Sequence, residues 1–415
     1  MAGQPDSECG VVSRKSDAVQ CGVVGGDPSA LVFALLLARS GWTVRVLARG
    51  AGRSAHTGVS PFLSPSSLAV MADLGLLDHL LAVGGPVREM VEHSPGAGHR
   101  VLDYGAGGRE RFPYALSVPL STLTEVLREA LAGEGSAEVR SGTSVRGIED
   151  AGSAVVLDLV DAGGPTSLEC GFVVCAGGKF SKTRDLLGIG ADVVEFDRPL
   201  VMVVVPTPTG WPERIEAHHD ERNSLVTTIP LAGGRMIVQW LAAPEEFEQV
   251  RAAGVGELRS RIARVLPDLA EPLVAALSGW DEVLVVRHHV VRPRTWSVGR
   301  VGLLADAAHG VHSFAGQGVN LGIQDAVVLA ASLVEAGVDA GTAPLVEYER
   351  VRRPFVESFQ RYQLETPQLT SQPRGERGGR TLYGGIEALM VLGQPEATVR
   401  GKWLINRWSE RANRQ

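Results

Sequence analysis

Val23-Val24-Gly25-Gly26-Asp27-Pro28-Ser29-Ala30 runs from an apolar stretch into a glycine turn. An apolar helical segment follows from Leu31 to Ala38, then Gly41, then a second apolar strand from Thr43 to Leu47. Strand, glycine turn, helix and strand in this order read as the opening βαβ unit of a dinucleotide-binding fold. The turn is Gly-x-Asp-x-x-Ala, where the fingerprint has Gly-x-Gly-x-x-Gly or Ala. The second strand ends in Ala48, where an acid would hold a ribose.

The 415 residues around this unit suffice for two domains, or for one with a large insertion. A hydrophobic fraction of 44% against 21% charged residues calls for a packed core. A net charge of −7 argues against a nucleic-acid partner. Residues 1–17 are polar, lack the apolar region of a signal peptide, and are expected to form a disordered tail. No apolar run reaches the ~18–20 residues of a membrane span, so a cytoplasmic protein without a membrane partner is expected. Cys9, Cys21, Cys170 and Cys175 lack metal-ligand spacing, and Cys21 and Cys175 fall in expected core strands. No metal is expected, because the pairs His218-His219 and His288-His289 point to opposite faces of their strands.

Leucine spacing predicts a helix over Ser64–Val83 and another over Thr122–Ala132. Ala154–Leu159 and Ser167–Val174 read as a strand pair around the turn at 161–164. Strands then dominate from Arg198 to Val291, at Leu200–Val205, Arg214–His218, Ser224–Ile229, Arg235–Trp240 and Glu282–Val291, with one helix over Val255–Leu277. A buried strand at Val301–Leu304 precedes a long helix from Gly316 to Glu335 and a charged one over Leu345–Thr366. The expected fold class is α/β: a discontinuous, Rossmann-like dinucleotide-binding domain at 18–197 and 292–366. Inserted in it is a mostly antiparallel substrate sheet at 198–291, and a C-terminal loop and helical segment spans 367–415.

Leu303-Leu304-Ala305-Asp306-Ala307-Ala308-His309, then Gly316-Gln317-Gly318-Val319-Asn320-Leu321-Gly322-Ile323-Gln324-Asp325-Ala326, closely resembles the last flavin motif of the class A flavoprotein monooxygenases, the para-hydroxybenzoate hydroxylase-like enzymes. The order of elements fits that family from residue 18 to about 365, including Pro65-x-x-Leu68 and Ser117-Val118-Pro119. The resemblance implies an FAD bound at Gly25, Asp306, Gly316, Gln317, Gly318 and Asn320, with NAD(P)H used only where FAD binds. It also implies a structural role for His309. Against the family pattern, Asp27 replaces a glycine, Ala48 an acid, Leu120 an arginine, Gly177 an aspartate, Ala305 a glycine and Ser313 a proline. Each lost charge-assisted hydrogen bond is typically worth ~1.5–3 kcal/mol, and Asp27 adds an anion beside a pyrophosphate. The expectation is therefore no FAD, or weakly bound FAD.

On that reading the protein is a natural-product tailoring enzyme, a cyclase, isomerase or dehydratase of a polyketide-like or aromatic intermediate. One alternative is an FAD- and NAD(P)H-dependent aromatic hydroxylase, its phosphates held by the amides of Gly25 to Ser29 with Arg49 or Arg53. The other is a non-catalytic partner protein. The candidate catalytic residues are His218, His219, Arg235, His288 and His289, on strands of the second sheet, since histidine titrates near neutrality. The expected ligand is an apolar or aromatic small molecule.

Overall fold

The computed structural model describes residues 19–50, 62–96, 98–106, 111–220, 224–313, 316–366, 369–371 and 393–412, with side chains as far as 408. The expected N-terminal tail and the segment 372–392 lie outside the described residues. The main sheet is parallel at its centre. Strand β1 (Val19–Val24) pairs with β2 (Val44–Ala48) and with the second half of β11 (Gly164–Cys175). The order continues to β8 (Ala137–Ser141) on one side, and to β20 (Val301–Leu303) and β19 (Ser297–Val298) on the other. The first half of β11 turns back on β10 (Val155–Asp161), which pairs with β9 (Ser144–Asp150). The βαβ unit and the 161–164 hairpin are thus formed as expected.

A second sheet has the order β17 (Leu284–Val286), β13 (Leu200–Pro206), β16 (Arg235–Leu241), β15 (Leu225–Leu231), β14 (Ile215–His219), β5 (Glu89–Ser94) and β6 (Gly98–Asp103). Its last two strands come from the first hundred or so residues, not from 198–291. Three short strands, β3 (Phe62–Leu63), β7 (Ala115–Ser117) and β4 (Gly85–Val87), form a third sheet, and β12 (Ala191–Glu195) pairs with β18 (His289–Pro293).

Helix α1 (Pro28–Arg39) is buried almost throughout, consistent with its lack of charge before Arg39. It packs against α4 (Leu120–Ala132) and the long α9 (Gln317–Ala336). Two expected helices are broken. Ser64–Val83 divides into α2 (Pro65–Asp73) and α3 (Leu77–Leu81), separated by a turn at 74–76. The helix expected over Val255–Leu277 becomes α7 (Val255–Val265) and α8 (Ala270–Ala276), and a helix not expected there, α6 (Pro244–Ala253), precedes it, after α5 (Lys182–Leu186) in the chain. Gly254, at φ +96°, ends one helix and starts the next, and Pro267 interrupts the second. Among the described residues α9 alone is long and apolar enough to cross a membrane, and it is a core helix, 83% buried over its apolar window.

Helix α9 is fixed by a buried ion cluster. Asp325 accepts from Arg352 Nε at 2.6 Å and pairs with His309 Nε2. Arg352 stands on α10 (Ala343–Glu365), and its guanidinium also donates to Leu321 O and to Gln394, just before α11 (Pro395–Ala412). Burial alone would raise the Asp325 carboxyl, yet His309 and Arg352 hold it below the ordinary carboxylate range. Cys21 and Cys175 are free and buried, as expected of core residues, and so is Cys170.

Two substitutions test these forces. Asp325→Asn leaves the buried Arg352 guanidinium without its anion and should cost about 3–5 kcal/mol in urea unfolding at pH 7. Because the Asp325 carboxyl is lowered, the wild type should hold this increment above about pH 4. It should lose it as pH falls through the folded value, where the curves of wild type and variant converge. Ala305, at φ 53°, is the one non-glycine residue with positive φ among the described residues. Ala305→Gly should relieve this left-handed backbone and stabilise by about 1 kcal/mol in the same assay.

Candidate active site

A cavity of about 630 Å³ lies between the two large sheets. One end is built by the start of α1 (Asp27, Pro28, Ser29) and by Asp306, Gly316 and Gly318 before and at the start of α9. The other is floored by the second sheet, with Met90, Met202, Ile215, Thr227, Ile229 and Gln239 facing inward. Most of the surface is carbon; besides Asp27, Ser29 and Asp306 at the first end and Thr227 and Gln239 of the floor, polar groups come from Lys179, Arg287, His288, His289 and Ser313.

The glycine turn is shaped by its neighbours. Gly25 lies at φ +146°, and a Cβ there would come within 2.5 Å of Ala176 O at the end of β11. Asp27 is the N-cap of α1, and its Oδ1 accepts from Ala30 N at 3.0 Å. The carboxylate therefore sits on the same helix N-terminus that attracts an anion. Burial pushes its pKa up to about 6, the Ala30 hydrogen bond opposes the rise, and nearby Asp306 adds to it. A Cβ at Gly26 would lie 3.2 Å from Arg128 Nη2, so this α4 guanidinium reaches the turn. Arg128 Nε is buried and has no hydrogen-bond partner. Arg49 is exposed, and Arg53 lies outside the described residues.

The other expected cofactor positions divide in two. Asp306, Gly316 and Gly318 line the cavity. Gln317 is buried at the first turn of α9. Asn320 is fully used in structure: its Oδ1 accepts from Ser64 N and Ser67 Oγ, and its Nδ2 donates to Phe62 O and Gly316 O. It straps the β3–α2 segment to α9 instead of facing a ligand. Gly177 has its own reason to be small, since a Cβ there would lie 2.8 Å from Ser181 Oγ, the cap of α5.

Of the candidate catalytic residues, the structure brings two to the cavity and leaves three away from it. His218 points to the far face of the second sheet, and His219 to the near face, where its Nε2 is 2.7 Å from Glu92 Oε1. Arg235 is exposed at the β15–β16 turn. His288 and His289 both line the cavity, against the expectation that only one could. The reason is local: 287–288 is a break between β17 and β18, where strand alternation does not apply. His288 Nε2 lies 3.1 Å from Ser313 Oγ, and its ring contacts that of His312 at 3.9 Å between centroids. Burial, reinforced by Lys179, holds His288 down to about 3, so its imidazole is neutral at ordinary pH. Lys179 donates to Val311 O at 2.6 Å. Sequence reasoning missed Lys179 and Arg128; only a cation next to a glycine turn in space, not in sequence, signals the latter.

Comparison with known proteins places this geometry. A family profile described as FAD binding domain matches residues 18–362. The chain is 34% identical over 349 residues to protoasukamycin 4-monooxygenase of Streptomyces nodosus subsp. asukaensis, covering 81% of this chain and 85% of that one. It is 28% identical to 6-methylpretetramide 4-monooxygenase of Streptomyces rimosus, over 92% and 86% of the two chains. Among solved structures, P. aeruginosa PqsL in complex with 2-aminobenzoylacetate superposes with a TM-score of 0.76 at 25% identity, covering 86% and 97%.

These relatives correct the expectation of absent or weak FAD and give no support to a cyclase or a non-catalytic role. The departures mislead because what compensates for them comes from other parts of the chain. Asp27 is turned onto its own helix, and a cation reaches the turn from α4. The unpartnered Arg128 Nε, beside a glycine turn that admits no side chain at Gly25, is a feature an ADP phosphate satisfies. The chain is an enzyme of the class A flavoprotein monooxygenase family, with the FAD-binding domain spanning residues 18–362.

Proposed function

We propose that the protein is an FAD- and NAD(P)H-dependent monooxygenase that hydroxylates an aromatic, largely apolar intermediate of polyketide type. The observation that carries this reading is the single cavity running from the α1 and α9 termini to the apolar floor of the second sheet. FAD, reduced by NAD(P)H, supplies the activation of dioxygen. The turn at Gly25–Ser29 and Arg128 would hold its phosphates, and Asp306, Gly316 and Gly318 would hold the rest of it. Met90, Met202, Ile215 and Ile229 bury the flat apolar face of the substrate and keep water from the reacting ring. Thr227 and Gln239 supply hydrogen bonds from the floor. Neutral His288, steadied by Ser313, accepts the proton-bearing edge of a phenol or enol, and Lys179 beside it favours the anion of that group.

The test is the absorption spectrum of the purified protein, followed by NAD(P)H oxidation with aromatic polyketide substrates. A yellow protein that gains one oxygen atom in its product is expected. Conversion of the substrate without flavin would overturn the reading.

Arg128→Ala should raise the FAD dissociation constant roughly tenfold to a hundredfold by fluorescence titration, the loss of one charge-assisted hydrogen bond. Asp27→Asn keeps the cap acceptor but removes the charge. The folded pKa near 6 lies above the ordinary 3.8, so the wild type loses stability as pH rises from about 4 to 6 and stays lower above that. Unfolding at fixed FAD concentration should show equal stability at pH 4. At pH 7.5 the variant should lead by on the order of 1–2 kcal/mol, after allowance for cavity water around Asp27.

A further inference from the structure

The far face of the second sheet, away from the cavity, carries a cluster that the proposed reaction does not use. In the parallel pair β5–β14, His93 stands opposite His218, and in the antiparallel pair β5–β6, His93 stands opposite His99. Three histidines therefore lie in a row across three strands. Glu216, two residues before His218, shares their face, because strand side chains repeat with period two. The ligand atoms of His93, Glu216 and His218 all lie within 4.8 Å of one another. His93 Nε2 is 2.6 Å and His218 Nε2 3.5 Å from the same Glu216 oxygen, Oε2. These separations bracket the roughly 3.3 Å between two ligand atoms of a tetrahedral zinc ion with bonds of about 2.0–2.1 Å.

The surroundings favour a cation as well. Arg214 Nε holds the other oxygen, Oε1, at 2.6 Å and is itself held by Glu89, so Oε2 is presented to the imidazoles. A hydrogen-bonded carboxylate of this kind is a common outer support of a metal ligand. The Glu216 side chain is buried, whereas His93 and His218 keep an opening to solvent through which an ion can enter. The two rings are stacked at 4.2 Å and 9°, so their in-plane lone pairs run side by side, and ligation of one ion requires one of these partly exposed rings to turn toward Glu216.

We propose that His93, Glu216 and His218 form a binding site for a divalent transition metal of the zinc class, with water or His99 in the fourth position. Its effect is structural. The ion clamps the β5–β6 hairpin to the strands from 200–286, and thereby steadies Met90 and Ile215, which face the cavity from the same two strands. The proposal is independent of the reaction assigned to the cavity.

The test is calorimetric titration of the chelator-stripped, FAD-loaded protein with zinc sulfate. One equivalent should bind with micromolar or tighter affinity and raise the melting temperature. His93→Gln and Glu216→Gln should each weaken binding at least about tenfold, while His79→Gln on α3 leaves it unchanged. His218→Gln should weaken it likewise, whereas His218→Cys, which restores a zinc ligand, should recover most of it even if both variants lose the same packing. Absence of saturable uptake, or uptake equal in wild type, His93→Gln and His218→Gln, would overturn the proposal.

Discussion

A carboxylate with no access to water organises this molecule. Asp325 lies on the one helix that touches α1, α2, α10 and α11, and it is neutralised by a histidine from the loop after β20 and an arginine from α10. Buried charge is tolerated only where geometry is excellent and every lone pair is used. Satisfying Asp325 therefore fixes the rotation of α9 about its axis. That rotation in turn sets where Gly316 and Gly318 meet the cavity, and where Asn320 can grip the β3–α2 segment. The cofactor end of the cavity is positioned by electrostatics about two helical turns away from it.

Around that frame the site carries costs that a purely structural domain would avoid. Asp27 spends the helix N-terminus on itself, beside a second carboxylate, and a left-handed alanine sits just before Asp306. Strain and like charge at a cavity wall are found where function outweighs local stability.

The architecture was legible because it is written locally. The βαβ unit declares itself in thirty consecutive residues, and the motif from Asp306 to Asp325 in twenty. What could not be read depends on distance in sequence. Arg128 lies about a hundred residues from the turn it serves. His93 and His218 meet only through the register of a parallel strand pair, which no local pattern announces. The two helices read as continuous are interrupted by single turns that leucine spacing does not register. His288 reaches the cavity because its strand breaks there, a feature set by packing. Asn320 illustrates the converse. A residue that the family resemblance assigns to the flavin is here consumed by four hydrogen bonds to protein. The cofactor reading failed for the same reason: losses are visible in a linear motif, and their replacements are not.

The apolar surface of α9 has a consequence for synthesis of the protein on the ribosome. One side of this helix is covered by α1, which is made early, but the other waits for α10 and α11, which follow it in the chain. During elongation, a segment greasy enough to resemble a membrane anchor is thus half-clothed until α10 and α11 have been made. Seating of α10 and α11 over that flank is the step that removes from solvent an apolar surface open to other apolar partners while the chain is being made.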